Sequence, residues 1–473
     1  MLHNGSGGNH SRQQTRASTR CARRAFDAYL CALPAEIGDD DLKPADWAFG
    51  ADPPSVGKLV GHFAMQLFLS ASRPSKPFRH ILPNDMLSDW RWRPAQACLG
   101  LDVSTPWLWL RPDVCAHDER RSRRATHRAA KPTSAKPATA KAVVEAYSAP
   151  AFLDQMRSGA RLLQLVRGNA SGGWRASADP LWMAAKGGGE TMAGLWMGGQ
   201  LVRRVWRHAL GPCTRLRVDA LLKAPYEQLG LKPIGERRGG GGAGGGAGGD
   251  GVLHAAAASR ARRLAIAIHM RRGDACQRWA SAMGDGADAV RRPCFTAQTY
   301  LDAARSLLRV LRAPPPPPPH AAAPPRHKPA EDGGTPPAAP AWLLVASDSP
   351  AAIAELSVLL TPGEFELLHA DGPRGAAWGG AAEGANVGLG LHKASKEFIE
   401  TRNERGLVDR GSVVSSFFAD VELLSRADAF VGTSASWTSR IALLAIIGET
   451  GNVPPFAMVD RPLGQLWFAQ APK

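Results

Sequence analysis

Between Leu264 and Met270 the chain reads LAIAIHM, apolar at all but one position, and it then runs straight into Arg271, Arg272 and Asp274. A short apolar run of this kind, closed by charge, predicts a strand buried on both faces of a parallel sheet. The period then changes. TAQTYLDAARSLLRVLR (296–312) spaces its apolar residues three and four apart and predicts a helix, AWLLVASDSP a strand, and AAIAELSVLL another helix. A short strand in EFELLHA, a helix through GSVVSSFFADVELLSRA, a strand in DAFVGT and a helix in SWTSRIALLAIIG complete the alternation. Strands separated by helices imply right-handed crossovers. Residues 254–473 are therefore expected to form a doubly wound α/β domain on a parallel sheet.

Upstream the pattern is less regular. APAFLDQMRSGARLLQLVR has helical spacing, and GLWMGGQLVRRVWRHALGP and TRLRVDALLKAPYEQLGL predict two further helices. Scattered Trp and Leu between residues 45 and 115 imply a folded core, so 45–235 is expected to be a separate, less regular N-terminal lobe. Residues 1–44 are polar and expected to be disordered. Three low-complexity stretches punctuate the rest: a basic insert at 116–142, a glycine run at 236–253 and a proline-rich run at 313–341. The glycine run lacks the GKS/T ending of a phosphate loop and follows no strand, so it reads as a flexible insertion.

Composition narrows the function only a little. The chain has 473 residues, a formal net charge of +16 and 44% hydrophobic residues, which is ordinary for a folded protein. Much of the excess charge sits in RRSRRATHRAAKPTSAKPATAKA, which has almost nothing apolar to bury. No nucleic-acid-binding signature accompanies it, so a solvated loop is expected and no specific nucleic-acid partner. The seven cysteines show no CxxC spacing, and an odd number cannot all pair internally. No run reaches the ~20 apolar residues of a membrane span, and MLHNGSGGNHSRQQTRASTRCARR lacks the apolar stretch of a signal peptide. The sequence as it stands reads as soluble and unsecreted.

Candidate chemistry lies at the strand ends HMRRGD, ASDSP and GTSASWTS, because ligands of such sheets bind beyond the carboxyl ends of the strands. Alternation along an extended chain puts His269 and Arg271 on one face and Met270 and Arg272 on the other. One arginine can then serve a ligand and the other the scaffold. Thr433, Ser434, Ser436, Thr438 and Ser439 stand at a helix start, where free N–H groups and the dipole favour an anion. Taken singly, the serines cap the helix and the arginines pair with Asp274 or Asp348. Taken together, an arginine fork facing a hydroxyl-rich helix start is a plausible diphosphate site.

The order IHMRRGD, LLVASDSP, FFADVELLSRADAFVGTSASWTSRIA resembles the α-1,6-fucosyltransferase family, which includes N-glycan core and Nod-factor fucosyltransferases. GLWMGGQLVRRVWRHALGPCTRLRVDALLKAPYEQLGL resembles the segment preceding that family's HxRR strand, so the likeness covers about 196–468. The resemblance implies a GT-B-like fold with the donor domain at 254–473 and an acceptor-side lobe before it. It implies a metal-independent inverting transfer of L-fucose from GDP-fucose to a glycan or glycoprotein acceptor, the N-glycan core GlcNAc foremost. His269 and Asp420 would hold guanine, Arg271 the β-phosphate and Ser436 the phosphates, with Arg272, Asp348 and Ser434 completing the donor site. Arg271 and Asp274 are the catalytic candidates. Where the family has Lys and Glu for acceptor activation this chain has Ala275 and Trp279. Asp285 and Asp288 in the next loop are then candidates for the base by proximity. Two alternatives stand beside this reading: protein O-fucosylation or another nucleotide-sugar transfer, because the donor lobe is more legible than the acceptor lobe, and a GDP-fucose- or glycan-binding pseudoenzyme, motivated by Ala275 and Trp279. The family works in the Golgi behind an N-terminal membrane anchor, so an apolar stretch upstream of this start is expected. An oxidising lumen would pair Cys276 with Cys294 across the short polar loop between them, the alternative being two free thiols.

Overall fold

The computed structural model describes residues 164–167, 174–176, 195–196, 198–200, 202–203, 212–234, 263–272, 294–313, 339–370 and 410–460. They build one seven-stranded sheet. Its strands are β1 (Gln164–Arg167), β2 (Trp174–Ala176), β3 (Ala265–Met270), β4 (Ala341–Ser347), β5 (Phe365–His369), β6 (Ala429–Gly432) and β7 (Phe456–Met458). The helices are α1 (Pro212–Leu221), α2 (Lys223–Leu229), α3 (Ala297–Arg312), α4 (Pro350–Leu359), α5 (Arg410–Leu424) and α6 (Trp437–Thr450).

The strand order is β2-β1-β7-β6-β3-β4-β5, with every pairing parallel except β1 with β2. From β3 the chain steps outward to β4 and β5, then returns to lay β6 and β7 on the other side of β3. The order therefore reverses between β3 and β6. This is the switch point at which α/β sheets open a crevice above their carboxyl ends.

The central strand explains its own sequence. All six residues of β3 are buried, because helices cover both faces. Ile266, Ile268 and Met270 pack into one layer with Tyr300, Leu301 and Leu307 of α3 and Ile353 and Leu356 of α4. Ala265 and Ala267 face the other layer, with Phe418 and Leu424 of α5 and Ile441 and Leu444 of α6. Caps set where the helices begin: Thr296 accepts from the Thr299 N–H at the start of α3, and Pro350 opens α4, where its missing N–H costs nothing.

Two expectations change. Helical spacing over APAFLDQMRSGARLLQLVR predicted a helix through 164–167, where the structure has β1. A four-residue segment fits either period, and the open edge of β7 decides, pairing Gln164 with Phe456 and Leu165 with Ala457. The described residues of 45–235 join the same sheet and its core. β1 extends the sheet, and Trp196, Val202, Val218 and Tyr226 belong to the core that α5 and α6 build. The helix expected across TRLRVDALLKAPYEQLGL is two helices joined at Leu222 (φ −102°, ψ 2°). Pro225 explains the break: it has no N–H for a continuous helix, yet fits the first turn of α2.

Helical residues near 199 cross α6 at backbone contact. A Cβ on Gly448 would stand 2.2 Å from the Gly199 carbonyl oxygen, and Arg203 Nη1 donates to the Gly448 carbonyl at 3.2 Å. Because the obstruction is backbone, Gly448→Ala is expected to cost about 1–3 kcal/mol of stability. Urea denaturation measures it, and an unchanged midpoint would show that the crossing gives way freely.

At the amino ends of the strands, Asp428 exchanges hydrogen bonds with Ala265, its N–H donating at 2.7 Å and its Oδ2 accepting at 2.9 Å. An ionic cluster lies beside this end of the sheet. Arg426 pairs with Glu422, and with Glu449 at 2.9 Å; the Tyr226 hydroxyl donates to Glu422 at 3.1 Å, and Arg203 reaches Glu449 at 3.5 Å. Burial alone would lower the Arg426 pKa, but the carboxylates of Glu422 and Glu449 outweigh it and raise the pKa further above its ordinary value. The cluster ties α2, α5 and α6 together far from the crevice.

Candidate functional site

The crevice is built from three strand ends. The end of β3 places His269 and Arg271 two residues apart. His269 is 4% exposed and turns to the α5–α6 side, its Nδ1 2.7 Å from Ser439 Oγ. Arg271 remains half-buried, with Nε 3.5 Å from Asp348 Oδ2. Arg272 turns the other way. Its guanidinium pairs with Glu355 of α4, and Glu355 also accepts from the Ala297 N–H at 3.3 Å. The two arginines therefore separate as strand alternation requires, one beside the crevice and one into the scaffold.

The end of β4 is laced to β3. Ser347 donates to the Met270 carbonyl at 2.9 Å, and Asp348 Oδ1 accepts from the Arg272 N–H at 2.8 Å. Asp348 thus holds the backbone of one arginine and the side chain of the other. Arg272→Lys would lose the planar donor set that reaches Glu355. We expect it to lower the melting temperature while leaving ligand affinity of the folded protein within a few fold. An unchanged melting curve would show that the Glu355 pair holds nothing.

The end of β6 depends on Gly432. A Cβ there would lie 2.7 Å from the Phe430 ring and 2.9 Å from Ser439 Oγ, so a larger residue would drive Ser439 from its place. Ser439 accepts from the Thr433 N–H at 3.1 Å while facing His269, and so joins β6 to β3 across the switch point. Ser436 is the N-cap of α6, its hydroxyl accepting from the Ser439 N–H at 3.5 Å. A hydroxyl that accepts still has its proton to donate, so the cap does not exhaust Ser436.

Ser434 is placed differently from expectation. It is fully buried, and its N–H and hydroxyl donate to Asp460 Oδ1 at 2.7 and 2.9 Å, while the Ala435 N–H donates to Oδ2 at 2.8 Å. These donors serve the loop rather than the crevice. Arg440 secures the same loop from below, Nε donating to the Ser434 carbonyl at 2.6 Å with its guanidinium 4.5 Å from the Trp437 ring.

Asp420 is buried at 9% exposure on α5, which packs on β3 and β4 from the side to which His269 turns. It lies one turn, ~6 Å, above the end of that helix. Asp274, Asp285 and Asp288 lie outside the described residues, as do Ala275, Cys276 and Trp279. Cys294 is disulfide-bonded.

Three residues at the site were not singled out from sequence. Tyr300, in the first turn of α3, is fully buried, and its hydroxyl feels the Arg271 backbone and the charges of Asp348 and Asp460. Burial drives its pKa well above that of a free phenol. Asp348 and Asp460 add to the rise, and the Arg271 amide and Arg272 oppose it, so the phenol stays protonated. A tyrosine at a helix position reads as core, which hides this role. Glu355 and Asp460 look like ordinary surface acids, and no local pattern marks them.

The crevice therefore offers a cationic side chain, a capping hydroxyl at a helix start and a buried imidazole. No family model and no curated protein matches the chain. Among the described residues no group of three or more His, Cys, Asp or Glu could hold a metal ion, and no helix is long and apolar enough to cross a membrane.

Proposed function

We propose that this protein is an inverting glycosyltransferase that moves L-fucose from GDP-fucose to a glycan acceptor, with a GT-B-like donor domain. The observation that carries the reading is that His269, at the end of β3, reaches Ser439 in the Ser436-capped first turn of α6 across the switch point between β3 and β6, with Arg271 two residues further along the same strand end. A diphosphate needs fixed positive charge and oriented donors, and a helix start beside an arginine supplies both. A carboxylate such as Asp420 can accept from guanine N1–H and N2–H, which an adenine edge does not offer.

In the reaction the acceptor hydroxyl oxygen attacks C1 of fucose as the C1–O bond to the β-phosphate breaks. The bonding pair leaves with GDP, and the anomeric carbon inverts. Arg271 would neutralise the charge growing on the β-phosphate, the place where preorganised electrostatics contributes most. The acceptor proton passes to a base, for which Asp285 and Asp288 are the candidates and Asp274 a catalytic neighbour. No metal is required in this scheme. The N-glycan core GlcNAc 6-hydroxyl is the first acceptor to test, and the reading carries a Golgi address with it.

The test has two stages. Calorimetric titration should show GDP binding and ADP binding at least ~10-fold weaker, the penalty for leaving a buried carboxylate without its donors. A glycan array with GDP-fucose should then show transfer. Equal affinity for ADP would remove the guanine assignment. Donor binding without turnover on any glycan would favour a binding protein, the reading that Ala275 and Trp279 support, and transfer to a folded protein domain would favour O-fucosylation.

A further inference from the structure

We infer that Asp460 is an internal anion that sets the β6–α6 loop for its ligand and directs an incoming phosphate to the Arg271 and Ser436 side of the crevice. The inference rests on the nucleotide reading above. Successive backbone N–H groups leading into a helix are what a phosphate oxygen would take. Here those of Ser434 and Ala435 are already taken, at 2.7 and 2.8 Å, by a carboxylate of the same chain that also accepts the Ser434 hydroxyl at 2.9 Å.

The arrangement grips one residue from both sides. The N–H and hydroxyl of Ser434 go to Asp460, and its carbonyl accepts from Arg440 Nε at 2.6 Å. Asp460 is itself fixed, since it follows β7 and the Val459 N–H donates to the Gly432 carbonyl at 2.9 Å. Two residues beyond Ser434, Ser436 caps α6, and through Ser439 the same turn reaches His269. The positions of the ligand-facing hydroxyl and of the imidazole thus descend from the carboxylate. Its negative charge also makes the 434–435 amides unavailable to a second anion, which leaves Arg271 and Ser436 as the phosphate side. Asp460 is a positioning residue and touches no reacting atom in this scheme.

The full chain, Asp460→Asn and Asp460→Ala are compared by titration with GDP and by thermal melting with and without sodium formate, sodium chloride serving as control. Asparagine keeps an oxygen for Ser434 but turns an amide donor toward the Ala435 N–H. Alanine empties the cradle. Loss of hydrogen bonds to a charged group of this kind should weaken GDP binding about 10-fold or more in both variants. Formate should raise the melting temperature of Asp460→Ala and not that of the wild type, because only the emptied cradle has three donors to offer. If wild type, Asp460→Asn and Asp460→Ala all bind GDP equally, the positioning role is overturned. Should formate leave Asp460→Ala unmoved, the cradle itself is overturned. A wild type that binds no GDP would overturn the nucleotide reading and the positioning role with it, while the formate arm still judges the cradle. If alanine prevents folding, the asparagine variant decides the positioning role on its GDP affinity alone.

Discussion

Arg271→Lys is expected to lower fucose transfer by ~10²-fold or more, comparable to removing one preorganised transition-state donor. Lysine keeps the charge, but it loses the planar fork that meets two phosphate oxygens at once. The same substitution should hardly move the melting temperature. The Arg271 side chain is 30% exposed and meets Asp348 through Nε at 3.5 Å, a partly solvated pair of small worth. The contrast with Arg272→Lys makes the test discriminating, because that change should cost stability before turnover. Two melting curves and two transfer rates suffice. Full activity in Arg271→Lys, or loss of activity confined to Arg272→Lys, would mean that the two faces of the strand end have been assigned the wrong way round.

Arg426→Met should produce the largest loss of stability, about 3–5 kcal/mol, since it strands carboxylates that the guanidinium compensates. Glu422 is nearly buried, with a side chain 8% exposed, and after the substitution it would keep the Tyr226 hydroxyl but lose its cation. Glu449 would retain Arg203 at 3.5 Å. Glu422→Leu combined with Arg426→Met should recover part of the loss, because a matched apolar pair leaves less charge buried without a partner. GDP affinity of the folded fraction should stay as in the wild type, the cluster lying toward the opposite end of the sheet from the crevice. Denaturant midpoints measure the effect. A single-variant loss below ~1 kcal/mol would show that water reaches and solvates these groups as it does surface pairs.

The parallel sheet was readable because its strands are buried on both faces. LAIAIHM and WLLVAS carry few polar residues until the strand ends, and a helical period follows each at the spacing a crossover needs. The same logic located the crevice, since polar residues at the ends of buried strands have few reasons to be there. The opposite turns of Arg271 and Arg272 followed from the two-residue period of an extended chain, and the structure sends them apart in that way. β7 escaped notice because three residues carry no period, and β1 was misread because four residues carry too little of one.

What the sequence determined by itself was local: the period of the longer elements, the hydroxyl-rich start of α6, and which residue types stand at the strand ends. What only the tertiary structure decided was which partners meet. Ser434 carries a hydroxyl and stands at a helix start, so its sequence fits a ligand contact as well as a loop contact. The choice was made by Asp460, 26 residues further on, whose carboxylate arrives from β7 to take its donors. Glu355 likewise claims Arg272 from 83 residues away, and Ser439 reaches His269 across 170. A hydrogen bond acts over about 3 Å of space whatever the separation along the chain, and only the crossovers that bring β3, β4, β6 and β7 side by side determine which donors lie within that reach.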